Sequence, residues 1–303
     1  MGLRKVTDAL GRELLFGSAP RRVVSLVPSD TLSVFDLGCG ASIVGRTDYC
    51  ELPEGVRALP SVGGTKNPDL AAIRALEPDL VIANKEENTR RDLERLAEEG
   101  YRVLVAFPTR VAEGLAHLAK LAVVFDVAGE PAVKDLVRRG YEAVREAESA
   151  RARRRSVRTF CPIWMDPLMT IHGDTYISDV LHLAGAENVF ADRARRYPLA
   201  ADLGQAVALT GERVRGRDTR YPRVRVDEVI ARAPELVLLP DEPHPFSEAD
   251  REVFLALDLP ASRTGAVVRT GGKDLSWYGS RAVDGLGRLR ALVDAYAPPG
   301  RGG

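Results

Sequence analysis

The sequence predicts an α/β protein of two similar lobes with mainly parallel sheets, joined by one long, rigid helix. Three observations predict it: a helix–proline–strand segment that occurs twice, an apolar strand ending in proline that also occurs twice, and helical apolar spacing between the copies. The 303 residues suffice for two domains of about 150 residues each. We expect an N-terminal lobe over 1–108, a backbone helix over 109–154, a C-terminal lobe over 155–297 and a disordered tail over 298–303.

The first repeat joins a short amphipathic helix to a buried strand. Residues 75–82 read ALEPDLVI, and residues 231–238 read ARAPELVL. In each copy the proline ends the helix because it lacks a backbone N–H and clashes with the preceding turn. The apolar run that follows has no polar interruption, which is typical of a parallel strand covered on both faces. One such unit in each half of the chain indicates two lobes with a common plan.

The second repeat is a strand that ends in proline and leads into a helix. Residues 22–28 read RVVSLVP, residues 156–162 read SVRTFCP, and each is followed by a helical segment that stops at glycine. Glycine at a helix end adopts the left-handed backbone that closes the last turn.

Between the repeats, apolar residues recur at helical spacing over 109–150. About 40 helical residues would extend about 60 Å, which is enough for a rigid connection.

Composition argues against two classes of protein. Lys and Arg total 43, as do Asp and Glu, so the formal net charge is zero, whereas nucleic-acid binders usually carry a positive excess. No apolar run approaches the roughly 18 residues that span a bilayer.

The N-terminus lacks a secretory signal pattern, and Cys39, Cys50 and Cys161 lack the spacing of a disulfide or zinc framework. We therefore expect a cytoplasmic protein with free thiols; an upstream signal, removed or missed, would place it in the periplasm or at the cell surface.

The candidate ligand residues lie on loops that follow predicted strands. Ligands of parallel α/β sheets bind at the carboxyl ends of the strands. Both tryptophans of the chain fall on such loops, and aromatic rings there suit a large ringed ligand because they offer flat apolar area with a polar tip. The candidate ligand-binding residues are Pro28, Ser29, Asp48, Tyr49, Gly64, Asn84, Lys85, Trp164, Met165, Asp241, Glu242, Trp277, Tyr278 and Arg281.

Signatures of catalysis are scarce. The sequence has no GxGxxG after a strand, no phosphate-binding GxxxxGKS or GxxxxGKT, no HExxH and no GxSxG, and its four histidines never pair at ligand spacing. We predict no catalytic residue, no metal ligand and no required cofactor.

Two alternative functions stay open. One is a cytoplasmic enzyme acting on a chelated metal or nucleotide through Asp241, Glu242 and Asp274; the other is a protein binding free metal ions through His172 and His244.

These segments together resemble the cobalamin and ferric-siderophore class of ABC-transporter substrate-binding proteins, also called helical-backbone metal receptors. The resemblance rests on the strand–proline start, Gly63–Gly64, the helix–proline–strand segment at 70–82, the connecting helix and WYGSR at 277–281. It implies two α/β lobes that enclose a ligand between them, no enzymatic activity, and a chelated metal as ligand, namely cobalamin, a ferric siderophore or haem. Chelation would explain the missing histidine site, because the metal arrives with its own ligands.

The resemblance also implies roles for individual residues, and it is strongest to the cobalamin-binding members. It places four aromatic side chains against the ring system of the ligand: Tyr49, Trp164, Trp277 and Tyr278. Three charged side chains would meet polar groups of the ligand: Asp48, Asp241 and Arg281. The protein would act as a monomer, either as the substrate-binding component of an ABC importer or as a soluble carrier or sensor, with no nucleic-acid partner.

Two departures from the family pattern concern the partner and the surface. Transporter-coupled members usually carry one acid on each lobe that docks onto permease arginines. The second lobe has Asp227 at that position, whereas the first has Ala71. Loss of one charge weakens electrostatic docking, so a permease partner is predicted less strongly than a chelate ligand. The segment 195–220 is longer than in family members and is expected to form either a loop over the cleft or a surface loop.

Overall fold

The computed structural model describes residues 2–297 and divides them into two compact units. Unit 1 holds the chain up to Glu142 together with Trp277–Asp284, and unit 2 holds Ala143–Ser276 with the chain from Gly285 onward. Each unit contains a four-stranded parallel sheet whose strands alternate with helices along the chain, which confirms the two α/β lobes. The predicted tail at 298–303 lies outside the described residues.

Unit 1 is centred on its parallel sheet, and an antiparallel pair of strands precedes that sheet in the chain. Its strands are β1 (Arg4–Thr7), β2 (Glu13–Phe16), β3 (Val23–Ser25), β4 (Ile43–Arg46), β5 (Leu80–Asn84) and β6 (Val103–Ala106). Its helices are α1 (Pro28–Asp36), α2 (Leu70–Ala75), α3 (Arg90–Glu98) and α4 (Val111–Val124), with 3₁₀ helices at Gly40–Ser42 and Val56–Ala58. The parallel sheet has the order β4–β3–β5–β6.

Strand β5 shows why an uninterrupted apolar run forms a central strand. All five of its residues are buried. Leu80 and Ile82 pack in one hydrophobic cluster of the unit, whereas Val81 and Ala83 pack in another. Successive side chains of a strand point to opposite faces of the sheet, so both faces of β5 are covered. The prediction of a parallel strand covered on both faces is confirmed here.

Unit 2 repeats this plan with additional short elements. Its strands are β7 (Val157–Phe160), β8 (Pro162–Trp164), β9 (Met169–Thr170), β10 (Ala186–Asn188), β11 (Leu236–Pro240) and β12 (Val267–Thr270). Its helices are α6 (Tyr176–Ala184), α7 (Leu199–Asp202), α8 (Val226–Arg232), α9 (Glu248–Leu255), α10 (Pro260–Arg263) and α11 (Lys273–Ser276), with a 3₁₀ helix at Gly211–Val214. The parallel sheet has the order β10–β7–β11–β12, and β8 and β9 form a separate antiparallel pair. The segment 195–220 therefore contains α7 and one 3₁₀ helix.

The two copies of the first repeat share a detailed backbone feature. Helix α2 and helix α8 both end shortly before a proline, and the residue before that proline has positive φ in each copy, 44° at Glu77 and 45° at Ala233. A residue before proline is pushed out of the right-handed helical region. The same local constraint therefore turns the chain from helix to strand in both units.

The backbone helix predicted over 109–154 is divided into two helices. Helix α4 ends before Asp126, whose φ is 63°, and α5 (Pro131–Arg151) begins at a proline. A left-handed residue stops the helical ladder, and proline is tolerated at a helix start because its missing N–H would have no partner there. Helix α4 contributes Leu118 and Leu121 to the core of unit 1. The unit boundary in this part of the chain falls within α5, between Glu142 and Ala143.

The C-terminal lobe is also not continuous in sequence. It was expected to hold all of 155–297, but Trp277–Asp284 belongs to unit 1. The last helix, α12 (Ser280–Ala295), begins in that segment. None of the helices in the described part of the chain is long and apolar enough to cross a membrane.

We expect Leu104→Ala to destabilise unit 1 by about 2 to 5 kcal/mol, because it removes a fully buried side chain and leaves a cavity. Urea unfolding followed by circular dichroism measures the change. Val207→Ala is the control, since Val207 is 91% exposed, and it should change stability by less than about 0.5 kcal/mol. Equal effects of the two substitutions would contradict the assignment of Leu104 to the core.

Candidate functional site

Tyr49 forms an exposed aromatic surface on unit 1. It follows β4, and its side chain is 63% exposed. The neighbouring Asp48 N–H donates to the Gly63 carbonyl at 2.9 Å, and Ser61 donates to the Asp48 carboxylate. A β-carbon at Gly64 would lie 3.7 Å from the Tyr49 ring. The structure therefore brings Asp48, Tyr49 and Gly64 together, as candidates from two separate loops.

Four other candidates of unit 1 differ in their exposure to solvent. Pro28 and Ser29 begin α1 and are buried, and Asn84 at the end of β5 is buried as well. Lys85 is exposed, and its ammonium lies 4.8 Å from the centroid of the Phe107 ring. These residues follow predicted strands as expected, but burial limits what Pro28, Ser29 and Asn84 present at the surface of the unit.

A buried polar network surrounds Asp30, a residue that the sequence did not single out. The Tyr278 hydroxyl donates to Asp30 Oδ2 at 2.8 Å and accepts from Asn84 Nδ2 at 3.1 Å. His117 Nε2 lies 3.0 Å from Asp30 Oδ1. Burial, followed by the negative charges of Asp30 and Glu87, raises the pKa of Tyr278 well above its ordinary value. The phenol therefore stays protonated and donates to the carboxylate.

The Tyr278 network is reinforced by close backbone contacts. Gly279 has a φ of 74°, and a β-carbon there would lie 2.3 Å from Ser33 Oγ. The N–H of Ser280 donates to the same Ser33 hydroxyl at 3.2 Å. Only glycine combines this backbone conformation with so close an approach. These contacts hold the segment Trp277–Asp284 within unit 1.

The last three candidates of unit 1 are partly or wholly buried. Trp277 and Tyr278 are only 7% and 4% exposed. Arg281 is half-buried in the first turn of α12, where its positive charge acts on Asp36. Burial nevertheless raises the pKa of Asp36, since desolvation outweighs that charge. Contact of Trp277 and Tyr278 with a ligand ring stays a prediction.

Trp164 is an exposed aromatic residue of unit 2. It ends β8 with its side chain 43% exposed, and its indole N–H donates to the Asp166 carbonyl at 2.9 Å. The centroids of the Trp164 and His244 rings lie 5.4 Å apart, and those of the His244 and Phe246 rings lie 4.6 Å apart. Met165 beside it is half-buried. His244 thus supports Trp164, a role that its sequence spacing did not indicate.

The candidate acids of unit 2 tie a loop together. Asp241 Oδ1 accepts from the Gly272 N–H at 2.6 Å, and Glu242 Oε1 accepts from the Ser276 hydroxyl at 2.7 Å. Asp274, which was considered with them for catalysis, accepts two hydrogen bonds from Arg288 at 2.8 Å each. All three carboxylates therefore have structural hydrogen bonds around helix α11.

The two histidines that are candidate ligands of a free metal ion, His172 and His244, lie in different surroundings. His172 Nδ1 accepts from the Asp174 N–H at 3.1 Å. His244 packs against aromatic rings and lies 3.9 Å from Asp250. Across residues 2–297, no group of three or more His, Cys, Asp or Glu side chains is placed to hold a metal ion.

We expect Tyr278→Phe to destabilise the protein by about 1 to 3 kcal/mol at neutral pH, because the buried Asp30 carboxylate loses a donor. The loss should shrink at high pH. The folded-state pKa of Tyr278 is raised, so its contribution is complete below about pH 10, where unfolded tyrosine ionises, and declines above it. From pH 10 to 11 the difference between wild type and variant should narrow by up to about 1.4 kcal/mol.

Urea unfolding at pH 8, 10 and 11 measures this dependence. Tyr296→Phe is the matched control, since Tyr296 is 36% exposed, and its difference from wild type should stay constant with pH. A Tyr278→Phe difference that is equally constant would contradict the buried, protonated phenol.

Comparison with known proteins adds independent information. A family model described as periplasmic binding protein matches residues 23–239. A vitamin B12-binding protein of Yersinia pestis (strain Pestoides F) is 32% identical over 180 residues, which are 59% of this chain and 64% of that protein. The chain thus matches slightly less than two thirds of the length of such curated relatives.

Solved structures show the same fold at low sequence identity. The periplasmic vitamin B12-binding protein of Vibrio cholerae aligns with a TM-score of 0.72 and 19% identity, covering 91% of this chain and 98% of that one. A periplasmic haem-binding protein of Roseiflexus sp. RS-1 aligns with a TM-score of 0.73 and 19% identity, covering 93% and 100%. At these identities the likeness concerns the fold alone.

Proposed function

The chain belongs to the family of periplasmic binding proteins, and from this premise we propose that it binds a chelated metal, with cobalamin as the first candidate, and catalyses no reaction. The observation that carries the proposal is an exposed aromatic side chain on each unit, Tyr49 at 63% and Trp164 at 43% exposure. Flat apolar rings held by neighbouring contacts suit a large ringed ligand.

Family membership confirms the resemblance and corrects the predicted location. The cytoplasmic prediction is wrong, because the matching family is described as periplasmic and the similar B12- and haem-binding structures are periplasmic proteins. The free thiols that favoured the cytoplasm have another explanation. Cys50 and Cys161 are buried, and burial raises the pKa of the Cys161 thiol to about 12. Such a thiol is inert because the reactive thiolate does not form.

The choice of cobalamin follows from the curated relatives. A vitamin B12-binding protein is 32% identical to this chain over 180 residues, whereas the solved vitamin B12- and haem-binding structures are both 19% identical and do not separate the two ligands. A ferric siderophore or haem is the second choice. We propose that the protein delivers its chelate as a monomeric component of an ABC importer.

An acid near the start of one helix in each unit supports the importer partner. Asp227 is the second residue of α8 and is exposed, and Arg225 lowers its pKa through a hydrogen bond. Ala71 is the second residue of α2, but the exposed Asp69 caps that helix and accepts from the Ala71 N–H at 2.8 Å. We propose that Asp69 supplies the negative charge that Ala71 lacks.

Removal of both charges should impair uptake while leaving chelate binding intact. In the native host carrying only the variant gene, Asp69→Asn combined with Asp227→Asn should lower uptake of labelled cobalamin at least fivefold. Asparagine still caps α2, so the change is mainly electrostatic. Asp258→Asn is the control, an exposed acid paired with Arg263. Unchanged uptake in the double variant would refute the docking role.

Cyanocobalamin should bind the wild-type protein and quench its tryptophan fluorescence. Trp164→Leu should weaken binding at least tenfold, which corresponds to about 1.4 kcal/mol, because it removes a flat ring from the exposed surface. Isothermal titration calorimetry measures both proteins without relying on the removed fluorophore.

Tyr296→Leu provides the matched control, since Tyr296 is another partly exposed aromatic residue, and it should leave the affinity unchanged. Absence of heat and of quenching with cyanocobalamin, haem and ferric siderophores alike would refute chelate binding.

A further inference from the structure

Unit 2 carries a group of arginines around Tyr197, within and beside the segment 195–220. The guanidinium carbons of Arg195 and Arg217 lie 4.7 Å and 4.9 Å from the centroid of the Tyr197 ring. The Tyr197 hydroxyl donates to the Asp218 carbonyl at 2.6 Å. Arg223 lies close enough for the charge of Arg195 to act on it. We call Arg195, Arg217 and Arg223 the arginine cluster.

The nearby acids are already engaged by other donors. Asp202 is buried; its Oδ1 accepts from Arg193 Nη1 at 3.0 Å, and its Oδ2 accepts from the backbone N–H of Arg223 at 2.8 Å. The two carboxylate oxygens of Asp218 accept from the Arg220 guanidinium at 2.9 Å and 2.6 Å. Neither acid accepts a hydrogen bond from a guanidinium of the arginine cluster, although the charge of Asp202 acts on Arg223 and the charge of Asp218 acts on Arg195.

Some donors of the cluster are buried without an acceptor. Nε and Nη1 of Arg223, and Nε of Arg195, have no hydrogen-bond partner within the part of the chain that the structure describes. Burial, together with the charge of Arg195, lowers the pKa of Arg223. Burying a charged donor without an acceptor is costly.

Arg193 shows the usual solution in the same region. It is also buried, but Glu228 and Asp202 accept its hydrogen bonds at 3.1 Å and 3.0 Å. Those bonds outweigh desolvation, and they raise the pKa of Arg193. Arg223 thus has two buried guanidinium donors without an acceptor in the described chain, whereas Nε, Nη1 and Nη2 of Arg193 all have acceptors.

Strand pairing places Arg223 beside the exposed tryptophan of unit 2. Arg223 pairs with Met169 in an antiparallel bridge, and Met169 pairs with Trp164 between β9 and β8. Directly opposed residues of neighbouring strands place their side chains on the same face, and neighbouring strands lie about 4.8 Å apart. Trp164 and Arg223 therefore lie in backbone segments separated by a single strand, and a register shift between Pro162 and Trp164 interrupts the regular pairing there.

We propose that Arg223 and Arg195 bind the carboxylate or phosphate oxygens of an anion, which supplies the missing acceptors. Guanidinium groups match the geometry of these oxyanions and bind them by paired hydrogen bonds. The adjacency of Trp164 makes the acid group of a bound chelate the first source, and this part rests on the proposed function. A free oxyanion is the second source.

The experiment titrates the full chain with four probes: inorganic phosphate, citrate, haem and cyanocobalamin. Haem presents two free carboxylates, whereas cyanocobalamin presents amides around its ring and one phosphodiester in its nucleotide loop. Arg223→Gln and Arg195→Gln should each weaken binding of haem, or of phosphate and citrate, at least tenfold. Arg263→Gln removes one charge from an exposed, paired arginine of the same unit and should change none of the affinities.

The pattern across the probes separates the sources. Loss confined to haem or cyanocobalamin identifies the acid group of the chelate, and loss confined to phosphate and citrate identifies a free oxyanion. If neither chelate binds the wild type, cobalamin and haem fail as ligands of the proposed function, while phosphate and citrate still test the anion site. Wild-type affinities retained in both variants for all four probes, or no wild-type binding of phosphate, citrate and haem, would overturn the anion site.

Thermal melting provides a second measurement and controls for folding. In anion-free buffer, Arg223→Gln should melt at the wild-type temperature or above it, because it removes a buried cation without an acceptor. Excess citrate or haem should raise the melting temperature of the wild type, since a ligand that binds only the folded state stabilises it. A similar rise in Arg223→Gln would contradict the proposal.

Discussion

The buried carboxylate of Asp30 is the constraint on which unit 1 depends. A charge with no exposure to water needs donors of its own, and here they come from distant parts of the chain. His117 reaches it from α4, and Tyr278 reaches it from a segment 248 residues away in sequence. Because that segment satisfies Asp30, the C-terminal part of the chain must return to unit 1 before its last helix continues in unit 2.

Buried polar side chains in this protein differ in whether the chain itself supplies their hydrogen-bond partners. Asp30 and Arg193 are buried, and each has oppositely charged or hydrogen-bonding neighbours. Arg223 has buried donors that the described chain does not satisfy. The first kind stabilises the fold, since removing a partner exposes an uncompensated charge. At Arg223 the proposed anion supplies the missing partners.

Neighbouring groups also surround the exposed aromatic residues. The Trp164 indole is oriented by its hydrogen bond to the Asp166 carbonyl and by the His244 ring. Tyr49 lies beside Gly64, where a β-carbon would be 3.7 Å from its ring, at ordinary van der Waals distance. A surface aromatic held in this way loses little conformational freedom when a ligand stacks on it, so more of the contact energy appears as affinity.

The sequence by itself determined which segments form buried, apolar strands and where the chain turns in each repeat. These features depend on residues that are close together in sequence. Apolar runs and prolines act within a few positions, so β5 and the end of α2 were predictable. Tertiary structure alone decided the return of Tyr278 to unit 1 and the burial of Arg223 donors without an acceptor among the described residues. Those outcomes depend on which side chains, far apart in sequence, come into contact in the buried interior. The spacing of residues along a short segment does not predict such contacts.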